Sequence, residues 1–326
     1  MAHVTGTARL RKFLTTPKGL LIVILAVLVT FGIRHEGVAI AAPGLASAVA
    51  AAAVLDAIIM RARRGRWQFP DGAILTGLLV AMVLSAQQPW HYAAITAALA
   101  IVSKYLFRSR AANVFNPAAF GIVATFYVFD TGQSWWGALP ALAPLPQLLM
   151  AGTGIFIADR VNKLPLVVAF LGAFYLLFTV TAFAGEPARV AEVFRTPDLQ
   201  AALFFALFIL SDPPTSPVNH RDQIVFGVIV AMVSYAVFMW IGAAYYLLAG
   251  VLVGNVWESW RRVSRRFGYS FPRGVGAFLR EISPWRARAY GSLSHSIALR
   301  STTMLRPWTT VDSRTSRPSS STSMMS

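Results

Sequence analysis

Ser211-Asp212-Pro213-Pro214-Thr215-Ser216-Pro217-Val218-Asn219 interrupts an apolar stretch in a chain of 326 residues. Three prolines within five residues cannot sit in a regular helix, because each lacks a backbone donor and its ring clashes with the preceding turn. Non-helical backbone beside membrane segments must be sheltered by protein or line a wet cavity. A second polar signature, Asp71-Gly72-Ala73-Ile74-Leu75-Thr76-Gly77, opens a short apolar segment in the first half. A further polar break follows each at similar spacing: Phe115-Asn116-Pro117-Ala118-Ala119 after the first, Gly254-Asn255-Val256 after the second. That spacing predicts two related halves, and paired interrupted segments in two halves point to a binding site between them.

The surrounding chain is 56% hydrophobic and 13% charged, far from the composition of a soluble domain. Apolar stretches near spanning length recur from Leu20 to Trp257, which defines a polytopic all-α membrane protein. Ten segments are predicted, at about 18–33, 37–60, 72–87, 91–107, 117–129, 137–157, 164–183, 199–210, 223–241 and 243–258. The third, fifth and eighth fall short of the roughly 20 residues that cross a bilayer. With the N-terminus inside, the inside loops collect the clusters Arg9–Lys18, Arg61–Arg66, Lys104–Arg110 and Arg261–Arg266, with Arg160, Lys163 and Arg221. The outside loops hold only Arg34, Arg189 and Arg195. This asymmetry favours an even number of spans with both termini cytoplasmic.

Several function classes drop out. The chain has no cysteine, which excludes disulfides, thiolate-held iron–sulfur clusters and cysteine zinc sites. Its five histidines lack metal-ligand spacing, so no metal site is expected. The net charge of +16 follows the positive-inside pattern rather than a nucleic-acid module, so no nucleic-acid partner is expected. No removable signal peptide is expected, because the first apolar run lacks a small-residue cleavage site and leads into further spans. The organisation is then an N-terminal segment at 1–17, a transmembrane domain at 18–265 and a basic tail at 266–326. The tail's last 26 residues are about half Ser and Thr, a composition that predicts disorder. Within it, Val275–Tyr290 is basic and aromatic, a pattern suited to an anionic membrane surface.

Asn116-Pro117 has the chemistry of a helix start. Asn caps an orphan N–H, Pro has none to lose, and the helix N-terminus attracts an electron-rich group. Asp71 and Asp212 are expected to cap helices at the interface beside Arg66 and Arg221. An aspartate at the bilayer centre would cost roughly 2.5–3.5 kcal/mol without a partner. Asp56 is expected to face the Arg61–Arg66 cluster. Lys104 snorkels to the interface or anchors a cofactor phosphate. Trp90, Tyr92, Trp135, Trp136 and Trp257 fit an aromatic belt.

Four stretches, in this order and spacing, resemble one known family: Asp71-Gly72-Ala73-Ile74-Leu75-Thr76-Gly77-Leu78-Leu79, Lys104-Tyr105-Leu106-Phe107, Phe115-Asn116-Pro117-Ala118-Ala119 and Ser211-Asp212-Pro213-Pro214-Thr215-Ser216-Pro217. The family contains the D component of the Rnf electron-transport complex and the B component of the sodium-pumping NADH:quinone oxidoreductase. The resemblance covers about residues 15–265. It implies about ten transmembrane helices in two inverted five-helix repeats, urea-transporter-like, at about 18–130 and 137–260. It also implies a place in a bacterial inner membrane and a role in ion-coupled electron transfer beside other membrane redox subunits.

The family carries FMN on a threonine in a Ser-x-Ala-Thr motif between the fifth and sixth spans. Here that loop reads Tyr127-Val128-Phe129-Asp130-Thr131-Gly132-Gln133-Ser134-Trp135-Trp136-Gly137 and lacks the motif. Covalent FMN is therefore not expected. Non-covalent FMN or riboflavin is the alternative, with Asp71, Thr76, Lys104, Asn116, Asp212, Thr215, Ser216 and Asn219 as candidate binding residues. No catalytic residue is identified. The competing readings are a solute channel or permease with an inverted-repeat pore, and a purely structural membrane subunit.

Overall fold

A computed structural model describes residues 13–108, 112–142, 144–185 and 187–267. The expectations for residues 1–12 and for the tail beyond 267 lie outside the described residues. Each of the ten expected segments corresponds to a helix: α1 (Pro17–Glu36), α2 (Val38–Arg64), α3 (Asp71–Val83), α4 (Trp90–Leu106), α5 (Pro117–Phe129), α6 (Pro144–Arg160), α7 (Leu164–Ala184), α8 (Thr196–Phe204), α9 (His220–Ile241) and α10 (Tyr246–Phe267). The protein is an all-α membrane protein: α1, α2, α7 and α9 are each long and apolar enough to cross a bilayer. A fifth candidate is the pair Pro187–Phe194 and Thr196–Leu210, bent by 62°.

The segments expected to be short are short. α3 and α5 have 13 residues each. α8 runs into a π-helical stretch, Phe205–Leu210, whose residues are all buried. Such π insertions are rare and cluster at functional sites.

Two expected boundaries move for identifiable reasons. The third segment stops at Val83 rather than near 87, where Leu84 turns extended and bridges to Gln133. The sixth begins at Pro144 rather than 137, because Trp136–Ala138 forms a separate 3-10 turn. Trp135 and Trp136 are thus not in an interfacial belt. Both are buried, and the Trp136 indole donates to the Ala81 carbonyl at 2.7 Å, the partner that a buried tryptophan needs.

Helix pairing is partly alike in the two halves, although α2 also packs broadly on α3, a pairing with no counterpart of that extent in the second half. α2 packs chiefly on α4, and α4 on α5; likewise α7 packs chiefly on α9, and α9 on α10. The chemistry of the two cores differs. The first half packs on small residues, among them Ala48 and Ala52 of α2, Ala93, Ala97 and Ala100 of α4, and Ala118 and Ala119 of α5. The second half packs on aromatic rings. Phe170, Phe174 and Phe178 recur every fourth residue along α7 and meet Phe205, Tyr235 and Phe238.

Small residues bring helices close where apolar lipid gives no hydrophobic drive to associate. On α10, Gly250 and Gly254 form a small-xxx-small pair facing α9. A Cβ on Gly250 would lie 2.8 Å from the Val230 carbonyl, and one on Gly254 would lie 2.7 Å from the Val230 side chain. Gly121 of α5 does the same in the first half, 2.6 Å from the Thr96 carbonyl. Gly254→Leu is expected to lower stability by about 1–3 kcal/mol through overpacking, read as a drop in the detergent unfolding midpoint. Gly152, with open space around it, is the control position; equal losses at the two sites would overturn the close-packing account.

Candidate functional site

The two polar signatures lie near one another. Asp71 begins α3 and forms an ion pair with Lys18 of α1 at 3.4 Å, not with Arg66 as expected. The Lys18 charge also acts on Asp212, so this one lysine lies near the aspartates of both signatures. α1 reaches this position because Thr16 caps it, its hydroxyl accepting the Gly19 N–H at 3.1 Å. Asp212 takes the Thr215 hydroxyl at 3.0 Å and pairs with no arginine at 221. Desolvation pushes the Asp212 carboxyl up to about 6, against the pull of Thr215, Lys163, Lys18 and Arg262.

The proline-rich loop is held by its carbonyls. Prolines supply no backbone donors, so this backbone must be satisfied from outside. Lys163, at the start of α7, donates to the Pro217 carbonyl at 2.5 Å and the Ser216 carbonyl at 3.4 Å. Arg262 of α10 donates to the Pro214 carbonyl at 2.8 Å and the Ser216 carbonyl at 2.9 Å. Burial lowers the Lys163 ammonium to about 8, with the nearby Arg262 charge adding to the effect. Glu258, buried, accepts from Arg261 and Arg262, each at 2.7 Å. Within the loop, the Ser216 hydroxyl donates to the Asp212 carbonyl at 2.7 Å.

Asn116 and Asn255 link the halves. Asn116 caps α5 as expected, its side-chain oxygen accepting the Ala119 N–H at 3.1 Å. Its amide also donates to the carbonyl of Ile209, in the π-helical stretch, at 3.2 Å. Its backbone N–H donates to Asn255 Oδ1 at 2.8 Å, and Asn255 Nδ2 donates to the Thr215 carbonyl at 3.1 Å. Both asparagines are fully buried or nearly so. Two donors at the α5 N-terminus are thereby taken within the protein rather than offered to an anion.

Lys104 neither snorkels nor stands free. It pairs with Asp56 at 2.9 Å, and the Tyr105 hydroxyl donates to the same carboxylate oxygen at 2.6 Å. Asp56 therefore faces α4, while Arg63 lies over the Tyr105 ring. Lys104 still borders the first signature: a Cβ on Gly72 would sit 3.9 Å from its Nζ. Thr76 donates back to the Gly72 carbonyl at 2.9 Å, as buried threonines in helices do. Asn219 lies at the edge of this cluster, donating to Asp222 at 3.2 Å before α9, and Arg261 bridges Asp222 to Glu258.

Hydrogen bonds join Asp212 to Thr215, and Thr215 through Asn255 to Asn116; Asp71 with Lys18, and Lys104 beside Gly72, lie near this network. The cluster includes four residues to which the sequence reading gave no site role: Lys163, Asn255, Glu258 and Arg262. For Glu258 a signal existed, since a carboxylate three and four residues before two arginines on a helix predicts ion pairs. Thr76, Lys104, Asn116, Thr215 and Ser216 each bond a protein group. Thr131 is fully buried, with its hydroxyl on Thr125 at 3.4 Å.

A polytopic helical protein with two similarly paired halves and a polar junction between them is the class that this fold and site define. The chain belongs to the NQR2, RnfD, RnfE family, which it matches over residues 2–148 and 145–260. Among its relatives is the D component of the ion-translocating oxidoreductase complex of Haemophilus influenzae, 31% identical over 33% of this chain and 28% of the relative. A protein of the same description from Cellvibrio japonicus is 22% identical over 59% of this chain and 72% of the relative. Another, from Ectopseudomonas mendocina, is 25% identical over 65% of this chain and 79% of the relative. The match to the Haemophilus protein spans under a third of that protein's length.

Proposed function

We propose that this chain is a membrane component of an ion-translocating electron-transport complex of the Rnf and sodium-NQR type. In this reading it sits in a bacterial inner membrane with both termini cytoplasmic, and it scaffolds partner redox subunits. The relatives' shared description supports the complex, and one observation carries the local argument: two of the family-like motifs are hydrogen-bonded through Asn255 across the halves, with the other two close by. The matching helix pairings, α2–α4–α5 and α7–α9–α10, support ten spans in two inverted five-helix repeats. The scaffold role is favoured over a flavin relay because the motif side chains hold one another.

Expression with an affinity tag in a host that makes such a complex tests this reading. Membrane redox subunits are expected to co-purify in stoichiometric amounts, with no flavin band on the tagged chain before or after denaturation. A stoichiometric flavin released from the isolated chain would replace the scaffold with the non-covalent FMN or riboflavin carrier. A chain that purifies alone would overturn the membership in a complex.

A further inference from the structure

A cavity of about 560 Å³ opens where α7 begins and α9 begins, lined by Asn162, Val218, Asn219, His220, Arg221, Asp222 and Arg265. Its wall is built rather than incidental. Gln223 is fully buried beneath it, and its amide nitrogen donates to the Asn162 carbonyl at 2.8 Å and the Val218 carbonyl at 3.1 Å. His220 contacts the Asn162 side chain at 3.1 Å, which ties the two rims together.

The wall carries surplus positive charge. Its one carboxylate, Asp222, is already bonded by Arg261 at 2.5 Å, Arg265 at 3.0 Å and Asn219 at 3.2 Å. Arg221 is exposed and has no carboxylate partner among the described residues. Arg265 is 58% exposed at its side chain, leaving donors free. Beside this wall the surface turns apolar: Val218, Ile224 and Val225 are 73%, 48% and 47% exposed. α9 itself is one of the helices fit to cross a bilayer. A cationic hollow directly above exposed aliphatic side chains matches a molecule with an anionic head and hydrocarbon tails. Basic pockets between membrane helices bind such headgroups.

We propose that this cavity seats the phosphodiester headgroup of an anionic phospholipid, with Arg221 and Arg265 on the phosphate and the acyl chains along Ile224 and Val225. The assignment rests on the cavity and not on the electron-transport reading. The test uses the full-length chain in detergent, titrated with phosphatidylglycerol, phosphatidylcholine or inorganic phosphate, and reads the unfolding midpoint and the number of lipids retained in native mass spectrometry. Phosphatidylglycerol is expected to raise the midpoint saturably, with phosphatidylcholine and phosphate inert. Arg221→Gln is expected to raise the half-saturating lipid concentration about five-fold, the equivalent of one arginine at an anionic surface. Arg221→Lys, which keeps the charge, is expected to fall between, and Arg66→Gln, in a different basic cluster, is expected to match the parent. Equal responses to the two lipids, or an unchanged titration in Arg221→Gln, would overturn the site. Stabilisation by inorganic phosphate at the lipid's half-saturating concentration would overturn the lipid assignment in favour of soluble phosphate.

Discussion

Glu258→Ala is expected to lower the unfolding free energy by about 3–5 kcal/mol, the scale of breaking a buried ion pair from one side. Glu258 is almost fully buried and neutralises two guanidinium groups one turn along its own helix. One of these, Arg262, supplies two of the donors that hold the carbonyls of the Pro213–Pro217 loop. Without the carboxylate, Arg262 is freed from its anchor and Lys163 meets more repulsion, so the loop loses both clamps together. Thermal unfolding in detergent measures the loss, and limited proteolysis at the loop reads its location. Glu258→Gln keeps the shape and one acceptor and is expected to lose less. A change for Glu258→Ala no larger than the roughly 0.2–1 kcal/mol of an exposed pair would mean that the loop is held by other groups.

Asn255→Ala is expected to cost roughly 2–6 kcal/mol, because it strands two buried backbone groups at about 1–3 kcal/mol each. The stranded groups are the Asn116 N–H and the Thr215 carbonyl. No other side chain within the described network offers both an acceptor to one and a donor to the other. Asn116→Ala removes the α5 cap and the bond to Ile209 but keeps the backbone N–H that donates to Asn255. The two side chains share no partner but the residues touch, so the double variant is expected to depart from the sum of the two single losses by a coupling of about 0.5–3 kcal/mol. Strict additivity would show that the two asparagine side chains act separately.

The helices were legible in the sequence because each is an apolar run bounded by charge or proline, and the short ones were legible as short. The cap at Asn116 was legible because capping is local chemistry. Partner choice was not. Asp71 lies five residues after Arg66 yet pairs with Lys18, and Asp56 precedes an arginine cluster yet pairs with Lys104. In both cases proximity along the chain lost to a residue of a neighbouring helix. Trp135 and Trp136 misled for a related reason: an aromatic near a span end reads as interfacial unless the loop folds back beneath its neighbour. Asn255 sits mid-helix in an apolar segment, where sequence alone marks it as costly but cannot name what it bonds.

The bond from Asn116 to Asn255 spans 139 residues of chain. A membrane protein is threaded out from its N-terminus, so α5 is made long before the residue that completes its first turn exists. During that interval the open end of α5 must rely on Asn116 alone, and the first half is a docking surface waiting for the last helix. Contacts so distant in sequence slow assembly. A chain that stops before α10 leaves the Asn116 N–H without its partner.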